Sequence, residues 1–144
     1  MRRRSRDLAL QERAEGRARE LLRQSAGTKA HDMYAALGFL AVEGRNGASG
    51  RYGYLIYPHR PIVAYDAETG ELLSEYCVRF LGDSGDEAGE RLPDADDVLA
   101  KWMALRSDEV ELLTVANVHP PGRQLDPAMV RRDVAAARAW RERA

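Results

Sequence analysis

The chain has 144 residues and a mass of 16.1 kDa, with 44% hydrophobic and 31% charged residues and a net charge of −1. That length suits one domain, 1–144, whose core buries roughly 70% of the unfolded surface, so folding needs neither disulfides nor metal. One cysteine, Cys77, excludes an intramolecular disulfide and any multi-cysteine metal site, no apolar run approaches the ~20 residues of a membrane span, and MRRRSRDLALQERAEG lacks a signal-peptide core, so a cytoplasmic setting without membrane contact is expected.

Charge is unevenly placed. Residues 1–24, an Arg-rich arm and helix, hold eight Arg against four acids; residues 81–117 hold three basic and ten acidic residues; residues 118–144 hold six basic and three acidic. Two basic ends therefore bracket an acidic stretch, as when opposite charges meet inside a fold or between subunits. Only Lys29 and Lys101 among the 22 basic residues are lysine. That bias is spread over the whole chain and points to a GC-rich coding genome, a high-GC bacterium or its phage, rather than to function.

Residues 5–24 are predicted helical, with Leu10, Ala14, Ala18, Leu21 and Leu22 at spacings of three and four. A second helix is predicted over 28–37, with Thr28 as N-cap and Gly38 as the stop. The strand region, 39–80, begins with a short apolar strand, Phe39 to Val42. The Gly-rich stretch 44–50 leads into a strand rather than a helix, so it is a hairpin loop and not a phosphate loop. Arg51 to Tyr57 and Ile62 to Asp66 read as strands separated by a two-proline corner. Residues 67–70 make a hairpin turn, and Glu71 to Phe80 reads as a long strand with Leu72, Ser74, Tyr76, Val78 and Phe80 on one face. Short connections force antiparallel neighbours.

After a Gly- and acid-rich loop, 81–92, a helical region covers 94–143. Asp94, Asp96 and Asp97 open a helix with Val98, Leu99, Trp102, Met103 and Leu105 as its buried stripe and Trp102 as the main anchor. Ser107 is expected to cap a further helix that Asn117 closes. Asp126-Pro127 opens the last one, with Val130, Val134, Ala137 and Trp140 in line. The fold class is α+β: an antiparallel four-stranded meander with N-terminal and C-terminal helices packed against one face.

Candidate chemistry is sparse. His31, His59, Cys77 and His119 show no zinc spacing, and no cofactor motif occurs. Cys77, mid-strand, reads as a small core residue that faces helix, and no nucleophile elbow exists. An enzyme would have to use His59 with Asp66 across the hairpin. The Arg/Tyr interleaving of Arg51 to Tyr57, continued by His59 and Arg60, and the arm Arg2, Arg3, Arg4, Arg6 are the candidate partner or phosphate contacts. The expectation is a non-catalytic binding or assembly module that contacts a protein or itself through Arg-rich terminal helices. The alternative is a nucleic-acid accessory protein using the arm and the Arg/Tyr strand.

Overall fold

A computed structural model describes residues 2–44, 51–78 and 92–143. The elements run α1 (Arg2–Ala26), α2 (Thr28–Leu37), β1 (Leu40–Glu43), β2 (Tyr52–Ile56), β3 (Ile62–Asp66), β4 (Leu72–Cys77), α3 (Asp94–Ser107), α4 (Glu109–Val115), β5 (Asn117–His119) and α5 (Pro127–Arg143). The sheet is antiparallel in the order β1-β2-β3-β4-β5. The α+β meander is therefore present with five strands, not four. The additional strand begins at Asn117, the residue expected to end a helix. Only three residues long, β5 is too short to leave a period-two pattern in the sequence.

Helices cover both faces of the sheet rather than one. Gly53 to Ile56 and Ile62 to Tyr65 are buried without interruption, as two-sided strands must be. On one face the hydroxyls of Tyr52 and Tyr54 both donate to Glu109 of α4, at 2.8 and 2.5 Å. On the other, the Tyr57 hydroxyl donates to Asp133 of α5 at 2.7 Å, and Gly70 abuts Val134. Two arginines of α5 fasten it further: Arg138 donates to the Ala67 carbonyl and Arg141 to the Ala41 carbonyl. The buried stripe Val130, Val134 and Ala137 is as predicted.

Several local expectations shift. The first helix is longer than 5–24. Gly27, not Thr28, is the N-cap of α2, while Gly38 ends it in the left-handed region at φ 83°. Asp108, not Ser107, caps α4, accepting from the Glu111 N–H at 3.0 Å. A register shift between Ala64 and Tyr65 puts Leu72 and Ser74 on opposite faces of β4, so the alternation read from sequence breaks there. Glu75, not Cys77, is the fully buried residue of β4. Cys77 is half-buried at the strand's end and accepts from Gln124 Nε2 at 3.3 Å. Trp102 is also half-buried, with the Arg106 guanidinium 5.6 Å over its ring, and Met103 is exposed. The interior is built instead from Leu22, Leu40, Leu55, Ile56, Ile62, Val63, Val98 and Val130. Phe80 and the acids Asp83, Asp86, Glu87 and Glu90 lie outside the described residues, as does most of the loop 44–50.

Among the described residues no helix is long and apolar enough to cross a membrane.

Candidate functional site

The two-proline corner between β2 and β3 has few backbone partners of its own, since proline lacks an N–H. Its polar groups are served by α3. Lys101 Nζ donates to the carbonyls of Tyr57 (3.0 Å) and Arg60 (2.8 Å) and lies 2.5 Å from Asp97 Oδ2. The same Asp97 oxygen accepts from the His59 N–H at 2.7 Å. Asp97 and Lys101 are one helical turn apart and almost completely buried. A buried charge survives only when paired and fully hydrogen-bonded, and here the corner's backbone completes the pairing.

The clamp holds His59 at φ 57°, the only non-glycine residue with positive φ among the described residues. Left-handed backbone at a residue with a side chain costs free energy and persists only where surrounding contacts impose it. The ring is thereby turned toward α3 and α1. His59 Nε2 lies 3.1 Å from Asp94 Oδ1, and Nδ1 lies 4.0 Å from Asp97 Oδ1. Both His59 Nδ1 and Asp97 Oδ1 are buried with no hydrogen-bond partner.

A cavity of about 530 Å³ opens beside this ring, lined by Leu10, Gln11, Ala14, Glu15, His59, Leu92, Pro93 and Asp94. Glu15 is anchored within it. Its Oε1 accepts from the Ala95 N–H at 2.9 Å; its Oε2 accepts from Arg19 Nε at 2.8 Å and from the Tyr34 hydroxyl at 3.1 Å. Burial first, and then the Glu15 charge, push the Tyr34 phenol well above its ordinary value. Burial, with the same Glu15 charge, also raises Asp96. Among the described residues the lining carries carboxylates, an imidazole, an amide and apolar walls. The arrangement suits binding of a hydrogen-bond donor. Among the described residues no group of three or more His, Cys, Asp or Glu side chains is placed to hold a metal ion.

No family model, curated protein or solved structure matches this chain.

The structure separates most of the residues singled out from sequence. Arg4 and Arg6 are exposed on α1; Arg2 and Arg3 belong to the same helix, and their side chains lie outside the described part. Arg51 pairs with Glu68 at 3.0 Å. Tyr57 is buried against α5. Arg60 is exposed, with its guanidinium 4.0 Å from Met129 Sδ. His59 does not meet Asp66. His59 precedes β3 and Asp66 is its last residue, so they stand at opposite ends of a strand that rises ~3.4 Å per residue. Asp66 instead accepts from the N–H groups of Thr69 and Glu68, which hold its carboxyl below the ordinary range.

The residues that do join His59 are Glu15, Asp94, Asp97 and Lys101, from α1 and α3. One signal in the sequence pointed to part of this set. Asp97 and Lys101 stand at i,i+4, and Lys101 is one of two lysines in a chain that elsewhere uses arginine. A compact ammonium reaches two carbonyls and a carboxylate in a space that a planar guanidinium does not match.

Proposed function

We propose that the protein is a small binding module that engages a protein partner or a second copy of itself through the N-terminal half of α1. One observation carries the reading: the apolar seam of α1 runs on past the point where its cover ends. Ala18 and Leu22 are buried. One and two turns nearer the N-terminus the same face continues with Ala14 and Leu10, while Leu8, two residues from Leu10, flanks the seam on its other side. Leu10 is 59% exposed and Leu8 58%. At 1.5 Å per residue, the 25-residue helix is about 37 Å long, and only its C-terminal half seats on the body.

Arg4 and Arg6 stand four residues before Leu8 and Leu10, so each leucine has an arginine on its own helix face. Neither arginine has an acidic partner in ion-pair range among the described residues. A surface of leucines edged by arginines favours a partner with an apolar strip and carboxylates. The arginines of α5 add less to this reading, because Arg138 and Arg141 are spent on carbonyls of the sheet region.

The test is the mass of the intact protein by light scattering, beside the double variant Leu8→Glu/Leu10→Glu. A mass above 16.1 kDa that falls to the monomer value in the variant supports self-association. For a monomeric protein, cross-linking must capture a partner with the parent chain and not with the variant; a monomer that captures nothing removes the reading.

Contact with nucleic acid is the second reading, and the exposed Arg4 and Arg6 favour it. Its stacking surface has no support, since Tyr57 is buried and the hydroxyls of Tyr52 and Tyr54 are bonded to Glu109. Titration of labelled single- and double-stranded DNA at ~50 mM salt decides it, because phosphate contacts bind tightly at low salt and weaken steeply as salt rises.

A further inference from the structure

The pairing around His59 is incomplete in a specific way. A neutral imidazole has one N–H and one bare nitrogen, and an ionised carboxylate only accepts. Nε2, at 3.1 Å from Asp94 Oδ1, must therefore carry the proton. Nδ1 is then bare and faces Asp97 Oδ1, a second acceptor, 4.0 Å away. Two acceptors are buried side by side with no donor between them. Native interiors leave few such groups, and each one calls for an explanation. Asp97 has no freedom to turn away, because its other oxygen is fixed by Lys101 and by the His59 N–H.

The donor that would satisfy both orphans is the ring's own proton, carried on Nδ1 instead of Nε2. That tautomer is favoured once an outside donor serves Nε2 and Asp94 together. Such a donor can reach them through the cavity, which both His59 and Asp94 line. Asp94 is reachable there, with its side chain 60% exposed. The Asp94 carboxylate favours a cation there, and Leu10, Ala14, Leu92 and Pro93 offer walls for an alkyl stem.

We propose that this cavity binds the ammonium or guanidinium group of a ligand, which donates to Asp94 and to His59 Nε2 and so selects the Nδ1–H tautomer, whose N–H is turned toward the acceptor Asp97 Oδ1. The ring loses one proton to water at Nε2 and takes one from water at Nδ1, so its charge is unchanged. The site borders the exposed leucine seam at Leu10, but the groups that receive the ligand's N–H donors, His59 and Asp94, lie outside α1, so it does not depend on the α1 reading. The cation has two sources, a free polyamine or an arginine side chain presented by another chain.

The test is nitrogen-15 NMR of the histidine rings in the full chain, which distinguishes the two tautomers directly, with His31 and His119 as internal references. Spermidine stands for the free source and N-acetyl-arginine amide for the side chain. The expected result is an Nε2–H ring in the free protein that converts saturably to Nδ1–H with at least one probe. A tenfold or greater preference for one probe identifies the source. Asp94→Asn, at an exposed position, is expected to weaken binding at least tenfold with an unchanged thermal midpoint. The proposal is overturned by a free-protein ring that is already Nδ1–H or doubly protonated. It is equally overturned if neither probe acts at ~10 mM, the range of very weak binding, or if Asp94→Asn binds as the parent does.

Discussion

Glu15 caps a helix far along the chain: its Oε1 accepts from the backbone N–H of Ala95, eighty residues later, at 2.9 Å. Pro93, the residue before α3, has no side-chain donor or acceptor for this purpose, so the capping carboxylate comes from α1. Negative charge at a helix N-terminus is favoured by the helix dipole, and the same carboxylate also binds the Tyr34 hydroxyl of α2. One side chain thus joins three helices. Glu15→Ala is expected to lower unfolding free energy by about 1–2 kcal/mol, the range for losing a cap. Glu15→Gln, which keeps an acceptor, should cost less. Denaturant midpoints of the two variants check the order.

Glu75 does for a loop what Glu15 does for a helix. Fully buried on β4, it accepts from the N–H groups of Gly122, Gln124 and Leu125 at 3.0, 2.9 and 3.3 Å. These donors lie in the connection between β5 and α5, which has no sheet or helix partners to offer them. Removing the carboxylate leaves them facing an apolar interior, so Glu75→Ala should cost about 3 kcal/mol or more. Amide hydrogen exchange at those three positions should accelerate more than exchange in β2 and β3. Uniform acceleration across the sheet would mean that Glu75 stabilises the fold without organising this loop.

These two carboxylates mark the boundary of what was legible in the sequence. Helix faces and turns depend on neighbours within four residues, so Gly38, the turn at Asp66 and the stripe Val130, Val134, Ala137 could be read directly. The role of Glu15 depends on Ala95, and that of Glu75 on the loop after β5, and no local pattern records either. Strand alternation is local but fragile. One bulge between Ala64 and Tyr65 took Leu72 off the face it was expected to share with Ser74 and Tyr76. Trp102 followed the right helical stripe but is large enough to reach the rim, where Arg106 covers it. At the candidate site, His59 and its corner stood out by their prolines, whereas Asp94 and Asp97 were visible only as a helix opening and Lys101 only as one of two lysines.

Gly53 is a strand glycine with a steric cause. A Cβ there would lie 2.6 Å from the ring and hydroxyl of Tyr65, its partner on β3. The tyrosine ring occupies the place of the missing side chain, a common use of glycine within a sheet. Gly53→Ala therefore forces Tyr65 out of its position and is expected to destabilise by about 1–3 kcal/mol, although alanine otherwise suits a strand better than glycine. The double variant Gly53→Ala/Tyr65→Leu should recover part of that loss. Thermal or denaturant unfolding of the pair measures the coupling, and strict additivity would show that the close approach is not the cause.

The buried tyrosines predict how the fold fails in alkali. Burial raises the phenols of Tyr34, Tyr54 and Tyr57 first of all. Each is raised further by a carboxylate that accepts its hydrogen bond, from Glu15, Glu109 and Asp133 respectively. In the unfolded chain these phenols ionise near the ordinary value of about 10. The native state holds their protons more tightly, so the stability they contribute is complete below that pH. It is lost as pH rises above about 10, because only the unfolded state then gains by ionising. Each tyrosine contributes a slope of at most about 1.4 kcal/mol per pH unit. Tyrosinate absorbance followed together with circular dichroism should show part of the six-tyrosine signal appearing only as the helices and sheet are lost. Tyr57→Phe removes one of the linked groups and should make the alkaline decline of stability shallower. Complete tyrosinate formation ahead of any change in circular dichroism would contradict the burial and hydrogen bonding of all three hydroxyls.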